Sequence, residues 1–177
     1  SSRRQTSKLH KMRFDPTSGR IAKGDPPLLG GTLPLITPSI SPDGRWLAYV
    51  STETGIREVF VRPFPEVDQG KWQISQGGGQ SPLWGPDGRE LFYRSDGSTI
   101  DVADMARGPD QAVHRVVLRA PAGSGFELNN NDRMFEVSRD GRRFLLNTRG
   151  AGDETGDLVI VENFITELRA ALAEDKG

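Results

Sequence analysis

The chain of 177 residues carries a formal net charge of −1 and contains no cysteine. The charge balance gives no basic footprint for nucleic acid, and the missing thiols exclude disulfides, thiolate metal ligands and cysteine nucleophiles. No run of about 18 apolar residues occurs, so a membrane partner would require a segment upstream of residue 1. The 21 glycines and 12 prolines favour many short strands separated by turns.

The N-terminal segment predicts a basic, flexible end over residues 1–7, followed by half of a sheet over residues 8–29. In that half sheet, "KLHKMRF" (8–14) is expected to form one strand. The residues from 15 to 29 are expected to form a turn and an outer strand. The chain is therefore expected to begin midway through a sheet.

A segment then recurs three times: "ISPDGRWLAYVS" from residue 40, "WGPDGRELFYRS" from residue 84 and "VSRDGRRFLLNT" from residue 137. Each copy contains an apolar residue, a four-residue turn and a strand with adjacent apolar positions. Proline presets φ in the turn, aspartate accepts a local N–H, and glycine adopts positive φ. The turn residues are predicted to be structural: Pro42, Asp43, Gly44, Pro86, Asp87, Gly88, Asp140 and Gly141.

The strands after these turns are apolar on both faces, which predicts sheets covered on both sides by neighbouring sheets. Together with the strands that follow, they predict four-stranded antiparallel units over residues 35–75, 81–118 and 133–162. Asp43 and Asp87 are 44 residues apart, within the range of about 40–50 for a propeller blade. The predicted fold class is all-β: a partial β-propeller of about three four-stranded antiparallel blades plus a half blade.

The last residues break this pattern. They predict a C-terminal helix over residues 163–173, with Asn163 as its N-cap, and a polar tail at 174–177. A ring needs at least four blades. The chain is therefore expected to be part of a longer propeller, to complete a ring by self-association through its open edges, or to receive the missing strands from another chain.

A search for reactive groups gives no catalytic residue, no metal site and no cofactor. The two histidines, His10 and His114, have no partner ligands at zinc spacing. The glycine run "QGGGQ" at residues 76–80 is not followed by the Gly-Lys-Ser/Thr or the helix of a phosphate loop. We interpret it as a tight crossing from one blade to the next.

The phrase "SPDGRWLAY" at residues 41–49 resembles the repeat of TolB-like, WD-repeat-related propellers. "REVFVRPFPEVDQGKWQISQGGGQSPLW", "DGRELFYR" and "LVIVENFITELR" are similar to segments of the C-terminal propeller of some bacterial eukaryotic-type serine/threonine kinases and related sensors. The resemblance covers about residues 8–172. It implies a periplasmic or other extracytoplasmic location and a non-catalytic sensing or interaction module.

Propellers bind ligands where the crossings between blades meet the loops between second and third strands. These loops are rich in Gly, Asn, Gln, Asp and Arg, which predicts recognition of a protein, peptide or glycan rather than bond breaking. The candidate ligand-binding residues are Gln76, Gln80, Trp84, Asn130, Asp132 and Arg133. Two alternatives are open: a substrate-gating propeller of a peptidase-type enzyme, with catalysis in a separate domain, and a structural half-propeller that assembles by edge pairing.

Overall fold

A computed structural model describes residues 7–22, 26–120, 125–126, 135–141, 143–149 and 158–162. In these residues the chain forms strands joined by turns and two short 3-10 turns, Val67–Gln69 and Pro109–Gln111. The strands are β1 Ser7–Leu9, β2 Phe14–Asp15, β3 Arg20–Ile21, β4 Leu29–Gly31, β5 Leu35–Ile40, β6 Trp46–Ser51, β7 Glu58–Pro63, β8 Trp72–Gln73, β9 Gln80–Trp84, β10 Glu90–Arg94, β11 Thr99–Asp104, β12 Val113–Arg119, β13 Gly125–Phe126, β14 Phe135–Val137, β15 Arg143–Arg149 and β16 Leu158–Glu162.

Two consecutive sheets form complete four-stranded antiparallel blades. The first has the strand order β5-β6-β7-β8, and the second β9-β10-β11-β12, so that sequence order equals spatial order in both. Each strand can pair with the next through a short turn because antiparallel neighbours need no crossover connection. The predicted class, an all-β partial β-propeller, is confirmed. The C-terminal helix predicted at 163–173 and the tail lie outside the described residues.

The three repeated turns adopt the same backbone conformation. Gly44, Gly88 and Gly141 have φ values of 70°, 70° and 69°, in the left-handed region that favours glycine. Each glycine N–H donates to the carbonyl three residues earlier, at 2.8, 3.0 and 2.8 Å. The turns therefore occupy equivalent corners, between the first and second strands of their sheets.

The aspartate of each turn accepts local hydrogen bonds. Asp43 Oδ1 accepts from the Ser41 hydroxyl at 2.6 Å and from the Arg45 N–H at 3.1 Å. These bonds, together with the Arg45 side chain, lower the pKa of Asp43 to about 2. Asp87 accepts from the Arg89 N–H at 3.0 Å, and the Ser138 hydroxyl donates to Asp140. The geometry is that of turn-stabilising carboxylates.

In the terminal blade, β15 is the strand with which the other three strands pair. Strands β14 and β16 pair with the same stretch of β15, so they flank it on opposite edges. Strand β13 pairs with the last two residues of β15. The sequence placed the start of this blade at residue 133, whereas strand pairing already begins at Gly125.

The half blade differs from its prediction. Strand β1 ends at Leu9 and pairs with β4, while β2 and β3 form a separate small hairpin. A strand over residues 8–14 was therefore the wrong prediction. The hairpin turns within residues 15–19, where Asp15 Oδ1 accepts the Thr17 N–H at 2.9 Å and Gly19 has a φ of 66°. This aspartate turn reverses the chain directly after β2. The residues after the turn therefore pair with β2 instead of forming the predicted outer strand.

The two complete blades bury both of their faces, as the apolar pattern predicted, whereas the terminal blade leaves Leu145 of β15 46% exposed on the face opposite Phe144 and Leu146. In β6, Leu47 and Tyr49 pack toward the half blade, whereas Ala48 and Val50 pack against the second blade. The second and terminal blades meet in a further core cluster, which comprises Leu83, Phe92, Ile100, Val102, Val117, Phe126, Phe135, Phe144 and Leu146. Successive sheets therefore stack face to face. Within the described residues no helix has the length and apolar character needed to cross a membrane.

Candidate functional site

The loops at one end of the blades converge on a surface that we call the loop face, defined by residues 52–57, 76–79 and 95–98. The Gly79 N–H donates to the Arg57 carbonyl at 2.9 Å. The Phe126 N–H makes the equivalent bond to the Gly97 carbonyl, at 2.8 Å. At these two described positions, the crossing into a new blade is therefore anchored on the loop between the second and third strands of the preceding blade. The repeated aspartate turns lie at the opposite ends of the same strands.

A buried carboxylate organises the first of these crossings. Glu58, at the start of β7, is 2% exposed. Its Oε1 accepts the N–H groups of Gly77 and Gly78 at 2.9 and 3.1 Å, and its Oε2 accepts the Ser75 hydroxyl. The Ser75 Oγ in turn accepts the Val59 N–H at 2.8 Å. A buried carboxylate is tolerated when its oxygens are hydrogen-bonded in this way.

All three glycines of "QGGGQ" are required by this geometry. Gly77 and Gly78 have φ values of 80° and 130°, which non-glycine residues rarely adopt. A Cβ atom on Gly79 would lie 2.1 Å from Ser75 Oγ. The successive N–H groups form an anion-binding concavity, but the anion is the protein's own Glu58. The run is therefore a crossing between β8 and β9, built around an internal carboxylate.

The innermost strands of both complete blades are strained at the same place. Thr37 and Ser81 have positive φ values of 46° and 52°, and each precedes a proline. Pairing of β5 with β6 omits residues 37–38, and pairing of β9 with β10 omits residues 81–82. Such conformations cost about 1–3 kcal/mol each and concentrate at functional sites. The Thr37 Oγ1 atom is buried without a hydrogen-bond partner in the described structure.

Two arginines lie beside the second of these bulges. Arg57 Nη1 donates to Gln80 Oε1 at 3.0 Å, and Gln80 faces Arg94 across the β9–β10 pair. A cavity of about 10 Å³ lies between the bulges, about the space of a single water molecule. It is lined by Ile36, Thr37, Val50, Arg57, Gln80 and Ser81. Sequence reasoning did not single out Thr37, Arg57 or Arg94, because only the stacking of blades brings them together.

The predicted site residues have different locations. Gln76 is exposed in the loop face, and Gln80 is half-buried beside Arg57. Trp84 is not on the loop face: it is 5% exposed, and its Nε1 donates to the Ser39 carbonyl of the first blade at 3.1 Å. It packs the first two blades together, which corrects its prediction as a ligand contact. Asn130, Asp132 and Arg133 lie outside the described residues.

Other titratable groups lie in the core between blades. Burial raises the pKa of Tyr93 to about 12, with a further contribution from the charges of Asp101 and Glu58. The Tyr93 hydroxyl lies 3.3 Å from His114 Nδ1, and His114 is in β12, the outermost strand of the second blade. In the described part of the chain, no three His, Asp or Glu side chains are grouped so that they could hold a metal ion.

Comparison with known proteins identifies the fold and no family. No family model matches the chain, and no curated protein matches it by sequence. Solved structures that share its architecture include an oligogalacturonate lyase from Vibrio parahaemolyticus, with a TM-score of 0.56, 13% identity and coverage of 83% of this chain. An oligogalacturonate lyase in complex with manganese has a TM-score of 0.56 at 16% identity and covers 84% of this chain.

A protein described as TolB from Agrobacterium tumefaciens has a TM-score of 0.53 and 14% identity, and covers 75% of this chain. The architecture is therefore that of a TolB-like β-propeller. The chain spans 38% of the length of each of the two lyase structures and 46% of the TolB structure, so it corresponds to less than half of each. At these identities the similarity extends to the fold alone.

Proposed function

We propose that the chain is a non-catalytic interaction or sensing module that binds a protein or peptide, or alternatively a glycan, through its loop face. The observation that carries this proposal is the group of strained and polar residues at the inner strand ends. Thr37 and Ser81 hold costly backbone conformations next to Arg57 and Gln80. Strain of this kind persists where the surrounding structure enforces it, and recurs at ligand sites. Hydrogen-bonding groups on loops held by rigid sheets suit recognition.

The cellular context of the proposal comes from the sequence resemblance. Segments such as "DGRELFYR" are similar to the propellers that follow bacterial eukaryotic-type serine/threonine kinases and related sensors. We accordingly propose an extracytoplasmic sensor module, whose activity, if any, belongs to a separate domain. Neither a bound cofactor nor nucleic acid forms part of this proposal.

The proposed function predicts that loop-face substitutions abolish binding without unfolding the protein. The full chain would be probed on a peptide array and a glycan array, beside the double variant Arg57→Ala/Gln80→Ala. We expect a set of probes on one array to lose at least about tenfold in affinity, or about 1.4 kcal/mol. Equal melting midpoints would show that both proteins are folded.

Arg45→Ala is the matched control. Arg45 belongs to the aspartate turn at the opposite end of the blade, and its side chain is 72% exposed, so its removal should leave every signal unchanged. Probes that bind the wild-type chain and the loop-face variant equally well would contradict a loop-face site.

Self-association is a second candidate, favoured by the half blade. Phe14 and Ile21 face each other across the β2–β3 hairpin and are 63% and 61% exposed. Exposed apolar pairs at the edge of an open sheet can bind another chain. Sedimentation velocity distinguishes the two candidates, since a well-folded monomer at micromolar concentration would exclude ring completion by a second copy.

A further inference from the structure

Arg94, the last residue of β10, is a buried cation that lacks hydrogen-bond acceptors among the described residues. Its residue exposure is 3%, and its Nε and Nη1 atoms make no hydrogen bond within the described structure. Arginine stays charged in proteins. A buried and unpaired charge is strongly destabilising, and such groups are usually paired. Two donors of this guanidinium, on different edges of the group, therefore have no acceptor among the described residues.

The charged neighbours of Arg94 do not supply that acceptor. Burial lowers the pKa of Arg94, and the like charge of Arg57 lowers it further. Asp96 acts in the opposite direction, but its Oδ1 accepts the N–H and hydroxyl of Ser98, at 2.7 and 3.0 Å. Burial and the like charge of Arg57 both disfavour the charged form of Arg94, and an anion beside the guanidinium would offset them.

The cross-strand neighbour of Arg94 offers a further donor. Gln80, its cross-strand partner, has its Oε1 engaged by Arg57 at 3.0 Å, which leaves its amide N–H₂ group to donate. The group that complements such a set accepts hydrogen bonds only and is negatively charged. A carboxylate fits, because its oxygens only accept hydrogen bonds and its charge is opposite to that of the guanidinium.

We propose that Arg94 binds a carboxylate of the ligand recognised at the loop face, and that this ligand is an acidic peptide. The inference rests on the proposed function and specifies its ligand chemistry. A peptide is favoured over a sugar acid by two observations. The loop-face segments 52–57, 76–79 and 95–98 contain no aromatic residue against which a sugar ring could pack. Also, strand pairing is interrupted at 37–38 and 81–82, beside which an extended peptide could make main-chain hydrogen bonds.

The test monitors the Arg94 Nε–Hε resonance in ¹⁵N-labelled full-length chain, assigned by its loss in Arg94→Met. The probes are the peptide acetyl-Gly-Gly-Glu-Gly-Gly-amide, the same peptide with Gln in place of Glu, and sodium glucuronate. We expect the resonance to shift, with saturation, on addition of the glutamyl peptide and to stay in place with the glutaminyl peptide. Affinity should fall at least about tenfold in Arg94→Met and be unchanged in Arg45→Gln.

The melting midpoint of Arg94→Met gives a second readout. Replacing an unpaired buried charge by an apolar side chain of similar length is neutral or stabilising, so the midpoint should be unchanged or higher. A clearly lower midpoint would mean that Arg94 has a partner within the protein, and would overturn the proposal. A shift with glucuronate but not with the glutamyl peptide would overturn the peptide assignment.

The two proposals fail in different ways. If array probes bind the loop face of the wild-type chain but neither peptide moves the Arg94 resonance, the carboxylate site is wrong and the interaction module stands. If no array probe binds the wild-type chain and no small probe moves the resonance, both are wrong.

Discussion

Replacing Phe92 by alanine is expected to lower the free energy of unfolding by about 3–5 kcal/mol, the range for removing a buried phenylalanine. Phe92 is 1% exposed in the core between the second and terminal blades. Its ring meets Phe144 edge to face, with centroids 5.2 Å apart, and such pairs add about 0.5–1.5 kcal/mol beyond burial. Chemical denaturation of wild-type and variant chains measures the difference.

Phe14→Ala is the control for this measurement. It removes the same side chain from the β2–β3 hairpin, where Phe14 is 63% exposed, so the expected loss is below about 0.5 kcal/mol. Equal losses in Phe92→Ala and Phe14→Ala would contradict the stacking of the second blade on the terminal blade.

Replacing Glu58 by alanine is the second substitution with a large expected effect. It leaves the Gly77 and Gly78 N–H groups and the Ser75 hydroxyl without their acceptor. Hydrogen bonds to a charged group are worth about 1.5–3 kcal/mol each and are not additive. We therefore expect a loss of roughly 3 kcal/mol in the free energy of unfolding. Amide exchange at Gly77 and Gly78 should become faster, because their acceptor is gone.

Glu53→Ala provides the comparison. Glu53 pairs with Lys71 at 2.9 Å on a partly exposed surface, where an ion pair is worth about 0–1 kcal/mol. If both glutamate variants unfold at the same denaturant concentration, the crossing at residues 76–79 does not depend on an internal carboxylate.

The repeated turns could be predicted from the sequence because their determinants are local. Proline, aspartate and glycine act within four residues, and the φ values of Gly44, Gly88 and Gly141 agree with the prediction. The apolar strands that follow also required cover on both faces. Turn chemistry and strand pattern together were therefore sufficient to predict the blades and the fold class.

The site was predicted less well because its geometry depends on contacts between blades. Trp84 follows the same sequence pattern as Ile40, which is 50% exposed, yet only Trp84 has a preceding complete blade to cover it. Glu58 precedes the glycines that it holds by about 20 residues, and no local rule links them. In the sequence, Arg94 is an ordinary strand residue, and it is buried only because neighbouring sheets pack against it.

The most direct test of the stacked-blade architecture is a nuclear Overhauser measurement between aromatic rings of successive repeats. The Phe92 and Phe144 rings, 5.2 Å apart between centroids, should give strong cross-peaks in protein labelled only at phenylalanine. Absence of cross-peaks between these two rings in the folded chain would contradict the partial propeller, and with it the convergence of loops on which both proposals depend.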